Sequence, residues 1–174
     1  MNAYTKLARE AIKKKLTANE IIIAPSDLSA DLTSKKSGVF VTLETSKDKK
    51  LRGCIGTFLP SKDSIAEEII HNAIAAATED YRFEPITADE LSDLTVAVSL
   101  LHKPEQIKSI EKLDVNKYGV IVKTADGRSG LLLPDIPSVK SPTEQISIAA
   151  QKGGIDIAKD NVYLYRFLVD KHEE

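Results

Sequence analysis

The segment Leu51-Arg52-Gly53-Cys54-Ile55-Gly56-Thr57 holds the residues of this chain best suited to chemistry. Two glycines bracket a cysteine inside a strand-like run, where glycine ordinarily weakens a strand by about 0.5 to 1 kcal/mol. Glycine in a strand marks a bulge or the close approach of a ligand or another backbone. In a regular strand Leu51, Gly53 and Ile55 point to one face while Arg52, Cys54 and Gly56 point to the other, which makes Arg52 and Cys54 neighbours. The thiolate is the nucleophile, and a thiol of ordinary pKa near 8.5 is only a few per cent ionised at neutral pH, so a nearby guanidinium would favour the reactive form. Arg52 could equally grip a carboxylate or phosphate bidentately, with Thr57 adding a hydroxyl. Set against this, cysteine is among the most buried residue types and often behaves as a small hydrophobe. No second cysteine exists to resolve a disulfide, which argues against a dithiol oxidoreductase and for a reducing compartment.

Other candidates are weaker. His71, His102 and His172 are scattered, with no second ligand at metal spacing, so no metal and no cofactor is expected. Glu67, Glu68, Glu79, Asp80 and Glu84 are read as solvated charges around a helix. Arg82, just beyond them, could complement Arg52 around an anion, or form a structural salt bridge. Tyr163, Tyr165 and Phe167 alternate on the last strand, read as core or sheet packing with an aromatic binding platform as the alternative. Phosphate loop, dinucleotide fingerprint and serine elbow are all missing.

The elements that must position these residues follow from periodicity. Met1 to Leu16 reads as an amphipathic helix with Tyr4, Leu7, Ala8, Ala11, Ile12 and Leu16 on one stripe. The stretch Pro25 to Gly38, rich in Ser and Asp, reads as a loop. Strands are expected at Val39 to Thr45 and Lys50 to Phe58. Ser64 with Glu67 is a capping box, opening a helix to about Thr78. A short helix after Thr87 and a strand at Thr95 to Leu101 complete the first half. After a polar connection with one helical turn at Lys103 to Val115, strands at Val120 to Thr124 and Ser129 to Leu133 flank the hairpin turn Asp126-Gly127. Ser141, Pro142 and Glu144 open a helix that stops at Gly153-Gly154, and Val162 to Val169 is the last strand.

Gly38-Val39-Phe40-Val41 resembles Gly119-Val120-Ile121-Val122, each followed by hairpin, helix and strand about 80 residues apart. The reading is an α+β fold built from two degenerate strand-strand-helix-strand repeats, halves about 1–101 and 102–174, closing one common antiparallel or mixed sheet within a single domain 1–174.

Composition bounds the rest. With 24 basic against 26 acidic residues and a net charge of −2, nothing draws the chain to nucleic acid. Lys13 to Lys15 and Lys47 to Lys50 are short basic clusters on solvated faces. No run reaches the ~18 to 20 apolar residues of a membrane span, and the start lacks the apolar core of a secretory signal, so a cytoplasmic protein is expected.

The run Leu51 to Phe58 resembles the signature of the AMMECR family (AMME syndrome chromosomal region candidate), in its bacterial and archaeal type. Gly38 to Leu43, Asp80-Tyr81-Arg82-Phe83-Glu84-Pro85, Glu90-Leu91, Val98 to Leu101, Tyr118-Gly119-Val120, Leu132-Leu133-Pro134 and Lys152-Gly153-Gly154 continue the likeness in order, over nearly the whole chain. Family members often carry proline at the positions of Tyr81 and Glu84. The resemblance implies a barrel-like sheet flanked by helices. It implies no settled activity, but a gene association with a Memo-like protein and a radical S-adenosylmethionine protein. Two functions follow: a binding or scaffold component whose cleft at Leu51 to Thr57, with Arg82, receives a protein partner, or a Cys54-dependent enzyme or subunit acting on a small anionic substrate. In the second, Cys54 is the nucleophile, Arg52 activates it or binds the anion, and Thr57 orients the bound group.

Overall fold

A computed structural model describes residues 2–174, which form two compact units: the chain up to Leu101 rejoined by Asp170–Glu174, and His102–Val169. In the first unit Asn2 caps helix α1 (Ala3–Ala18) by accepting from the Thr5 amide at 3.0 Å, and Asn19 closes it in the left-handed region at φ 55°. The helical stripe expected from the sequence is the buried one: Leu7, Ala8, Ala11 and Ile12 face the core, with Tyr4 and Leu16 at its margin. Met1, included in that expectation, lies outside the described residues. A short helix α2 (Ala30–Ser34) interrupts the expected loop and anchors it through Leu32.

Strands β1 (Gly38–Thr45) and β2 (Leu51–Thr57) form the first hairpin, then come helix α3 (Ile65–Thr78), a 3-10 turn at Glu90–Asp93 and strand β3 (Leu94–Leu101). The Ser64 hydroxyl accepts from the Glu67 amide at 3.2 Å, as the capping box requires. The second unit holds β4 (Glu105–Ile107), β5 (Gly119–Thr124), β6 (Ser129–Leu132), helix α4 (Pro142–Lys152) and β7 (Val162–Phe167). Val169–Glu173 then forms β8.

Among the described residues these strands make two four-stranded sheets, ordered β2-β1-β3-β8 and β4-β7-β5-β6, and no closed barrel. The expectation of one common barrel-like sheet is corrected here. The physical reason lies at the edges. The last strand, read as continuous over Val162 to Val169, breaks at Leu168, and its continuation β8 pairs beside β3. Strand β4, inside the stretch read as a polar connection, pairs beside β7 with Gln106 opposite Tyr165. Each set of three strands is therefore extended on one side by a fourth, and β2 and β6 remain edges.

In the first sheet α3 packs on β1 and β2 while α1 packs on β3, so Val39, Val41, Leu43, Val96 and Val98 meet Ile12, Ile69 and Ala73. Each of these is at least 99% buried, an apolar layer that supplies the main driving force for this unit. In the second unit α4 covers β5 and β6 around Val120, Val122, Ile146 and Ala149.

Two glycines set how closely helix approaches hairpin. A Cβ at Gly53 would overlap the carbonyl oxygen of Ala76 on α3, and one at Gly130 would overlap that of Ala149 on α4. Neither obstacle is a side chain that could swing away. Gly53→Ala and Gly130→Ala are expected to lower unfolding free energy by about 1 to 3 kcal/mol each, measured by urea denaturation, whereas Gly154→Ala, with open space around it, should show only the strain of its φ of 64°.

Candidate functional site

Strand β2 lies at the edge of its sheet, and its residues divide as the alternation predicts. Gly53, Ile55 and Thr57 face α3: Ile55 joins the core, and the Thr57 hydroxyl donates to Glu68 at 2.6 Å. Cys54 and Gly56 face the other way, opposite Thr42 and Phe40. Thr57 and Cys54 are therefore on opposite faces of the strand. The Thr42 hydroxyl and the half-buried Cys54 sulfur stand 3.4 Å apart. A Cβ on Gly56 would overlap the ring of Phe40, so this second glycine accommodates an aromatic neighbour.

The two arginines are held by the loop that follows α3. Arg52 Nε and Nη2 donate to the Glu90 carboxylate at 3.0 and 3.3 Å, and Nη1 donates to the Glu84 carbonyl at 2.8 Å. Thr87 donates to the same carboxylate through its amide at 2.9 Å, and that bond, followed by those from Arg52, holds the Glu90 carboxyl below the usual range against the upward push of burial. Arg82 makes a bidentate pair with Asp80, Nε to Oδ1 at 2.9 Å and Nη2 to Oδ2 at 2.7 Å, and Nη2 also donates to the Cys54 carbonyl at 3.2 Å. Asp80 Oδ2 accepts from the Cys54 amide at 2.8 Å. The Asp80 side chain is only 3% exposed. Arg82, aided by the Cys54 amide and its own, outweighs that burial and draws the Asp80 carboxyl from an ordinary 3.8 down to about 2. Both guanidinium groups thus grip the protein's own carboxylates and carbonyls.

Two buried polar side chains complete the setting, and the sequence reading passed over both. Glu68, taken for a solvated helical charge, is fully buried and accepts from the Thr57 hydroxyl, the Ser61 amide and hydroxyl, and the Lys62 amide at 2.6 to 2.9 Å. Burial pushes its carboxyl up, but these hydrogen bonds together prevail and leave it lowered. Asn72 donates to the Val39 carbonyl at 3.0 Å. The signal was present: positions 65, 68, 69, 72, 73 and 76 share one helical face, and the apolar stripe runs through both.

Thr42 also lines a cavity of about 280 Å³ on the Cys54 face of the sheet, with Glu44, Lys49, Thr95, Ala97 and Glu173. Of the histidines, His172 stacks on Tyr4 with ring centroids 3.8 Å apart. Among the described residues no three His, Cys, Asp or Glu side chains gather as a metal site, and no helix is long and apolar enough to cross a membrane.

The arrangement defines a class: an α+β protein in two sheet-bearing units whose glycine-cysteine-glycine edge strand is cross-braced by an Asp-x-Arg loop. The chain belongs to the AMMECR1 family, whose family model matches residues 5–172. A protein of Thermotoga maritima is 45% identical over 170 residues, covering 98% of this chain and 97% of the relative. A Clostridium acetobutylicum protein is 44% identical over 172 residues, and there this chain spans 36% of the relative's length. In the crystal structure of an uncharacterized protein from Pyrococcus horikoshii the same fold recurs with a TM-score of 0.88 at 33% identity, covering 98% of this chain and 89% of that one.

The depressed carboxyl gives a signed test. Asp80 contributes stability that is fully present above its unfolded value of 3.8 and is lost as pH falls toward about 2. Asp80→Asn should be less stable than the parent by about 1 to 2 kcal/mol at neutral pH, with the gap closing between about pH 4 and pH 2 in acid titrations followed by circular dichroism.

Proposed function

We propose that the chain is a binding component of a cytoplasmic modification pathway, and that it docks a protein partner at the outer edge of β2 with the loop 80–90. The observation that carries this reading is the position of Tyr81. Its neighbours Asp80 and Arg82 are both hydrogen-bonded to Cys54, and between them the tyrosine is 94% exposed. A large aromatic whose backbone is held on both sides before binding loses less entropy on association than one on a free loop and suits an interface anchor. Leu51 at the start of β2 and Phe58 and Leu59 past its end are exposed as well. Arg52, Gly53, Cys54, Ile55, Gly56, Thr57 and Arg82 then shape the surface rather than react on it. A small anionic ligand is the poorer match, because Arg52 and Arg82 already hold Glu90 and Asp80. The family's association with Memo-like and radical S-adenosylmethionine proteins makes those the partners to test first.

We also infer that the two halves are a degenerate duplication. In its support, Ser64 and Ser141 cap matching helices, and four residues on Glu68 and Gln145 are both buried and hydrogen-bonded towards the strands. Gly53 and Gly130 occupy the same hairpin strand against a helix carbonyl.

One observation favours the second reading, a Cys54-dependent enzyme: the Thr42 hydroxyl that meets the sulfur also lines the cavity. A hydroxyl donating to sulfur would favour the thiolate.

Tyr81→Ala is expected to weaken binding of a purified Memo-like or radical S-adenosylmethionine protein from the same genome at least tenfold by surface plasmon resonance, with unchanged circular dichroism. Equal affinity would remove Tyr81 from the interface, and no binding by the parent would remove these partners. For the enzyme reading the decisive measurement is alkylation of Cys54 against pH. A rate that follows a model thiol refutes it, and a fast rate persisting below neutrality, lost in Thr42→Val, supports it.

A further inference from the structure

The Thr42 and Cys54 pair is one at which the antiparallel β1 and β2 do not exchange main-chain hydrogen bonds, because the Cys54 amide turns outward to Asp80. Antiparallel strands alternate in this respect, so the amide and carbonyl of Gly56, opposite Phe40, point outward too. No hydrogen bond reaches them among the described residues. An edge with outward main-chain groups is a template for adding a strand from another chain. At Cys54 that template is occupied: Asp80 supplies the acceptor and Arg82 the donor that a neighbouring strand would otherwise bring.

We propose that the Asp80–Arg82 pair is an edge guard, closing the rung of β2 through which a second copy of this chain would add its own β2. The pair is built to stay in place. Asp80 is buried and held through both oxygens, and the Arg82 amide also donates to Oδ1 at 3.2 Å. Arg52 fixes the far side of the same loop to the strand through Glu90 and the Glu84 carbonyl. A second copy is the occupant because antiparallel pairing of a strand with itself is self-complementary: a two-fold axis at Cys54 gives each copy's Cys54 amide to the other's Cys54 carbonyl. Such a hydrogen-bonded pair sets Cα atoms about 5.5 Å apart, within the span of about 4.4 to 6.8 Å that a disulfide bridges. The chain's single cysteine thereby becomes a reporter of the pairing. This role is independent of which partner the surface receives.

The test compares the full chain with Asp80→Ala/Arg82→Ala. The reduced proteins are followed by sedimentation over a range of concentrations and by hydrogen exchange at the Cys54 amide. Both are then treated with diamide, which takes up the two electrons and two protons released when two thiols join. The guard predicts a protected Cys54 amide and little cross-linking in the parent. In the variant it predicts association that rises with concentration, amide protection that returns with it, and at least a tenfold increase in Cys54-linked dimer. A variant that stays monomeric with an exchanging amide overturns the proposal, as does equal cross-linking in both proteins. Should the double variant lose its circular dichroism signal, Asp80→Leu/Arg82→Met, which frees both the amide and the carbonyl of Cys54 while keeping the bulk of each side chain, decides in the same way: dimer gained supports the guard, and none overturns it.

Discussion

Helix α3 sits so low on β2 that main chain meets main chain, and the rest of the first unit follows from that contact. Only a residue without a side chain fits at position 53, where the Ala76 carbonyl fills the space of a Cβ. The alanine run of α3 from Ala75 to Ala77 is buried at the same place. Once the helix is that close, Glu68 and Asn72 are carried into the core, where neither could remain without partners. Glu68 finds Thr57 and the two amides of Ser61 and Lys62, and Asn72 finds the Val39 carbonyl. The polar network therefore fixes the open end of the hairpin, where Val39 pairs with Thr57, to the helix, and it leaves Cys54 on the opposite face.

The charges around β2 obey the same economy of space. A salt bridge on an open surface contributes little, but a carboxylate as buried as Asp80 must be paired or give up its charge. Arg82 supplies the pairing, and the Cys54 amide supplies a third hydrogen bond. Removing Arg82 would strand the buried Asp80 carboxylate, a penalty of about 1 to 3 kcal/mol for an unmet buried group. The guanidinium groups that looked free to bind an anion are thus committed to structure. Where sequence places Arg52 beside Cys54, the fold draws its guanidinium to Glu90 and the Glu84 carbonyl.

Local signals made most elements legible: the capping serines at 64 and 141, the turn at Asp126-Gly127 and the stripe of α1 all stand where expected. The edge strands were not legible. β4 is three residues long with two of them exposed, and β8 reads Val-Asp-Lys-His-Glu, so neither carries an alternating apolar pattern. Their pairing depends on open sheet edges elsewhere in the chain, which no local window contains. The candidate site was legible as a location but not as an arrangement. Glycines at 53 and 56 correctly signalled close approach, yet the approaching groups are the Ala76 carbonyl and the Phe40 ring rather than a ligand. Asp80 was discounted because its role requires the Cys54 amide, 26 residues away, to point away from β1.

An edge strand can be recognised through its main chain or through the side chains displayed around it, and the loop 80–90 decides between the two. Main-chain recognition needs successive outward rungs, since a single pair of hydrogen bonds contributes little net free energy in water. With Cys54 closed, the outward groups of Gly56 are isolated between the clamp and the strand's end at Thr57. Side-chain recognition loses nothing by the closure. The same two residues that seal the edge hold Tyr81 between them at the strand's midpoint, so each hydrogen bond that blocks an added strand also restricts the tyrosine's backbone. Closing the edge and presenting the aromatic are one structural act, and a change that loosens either must loosen both.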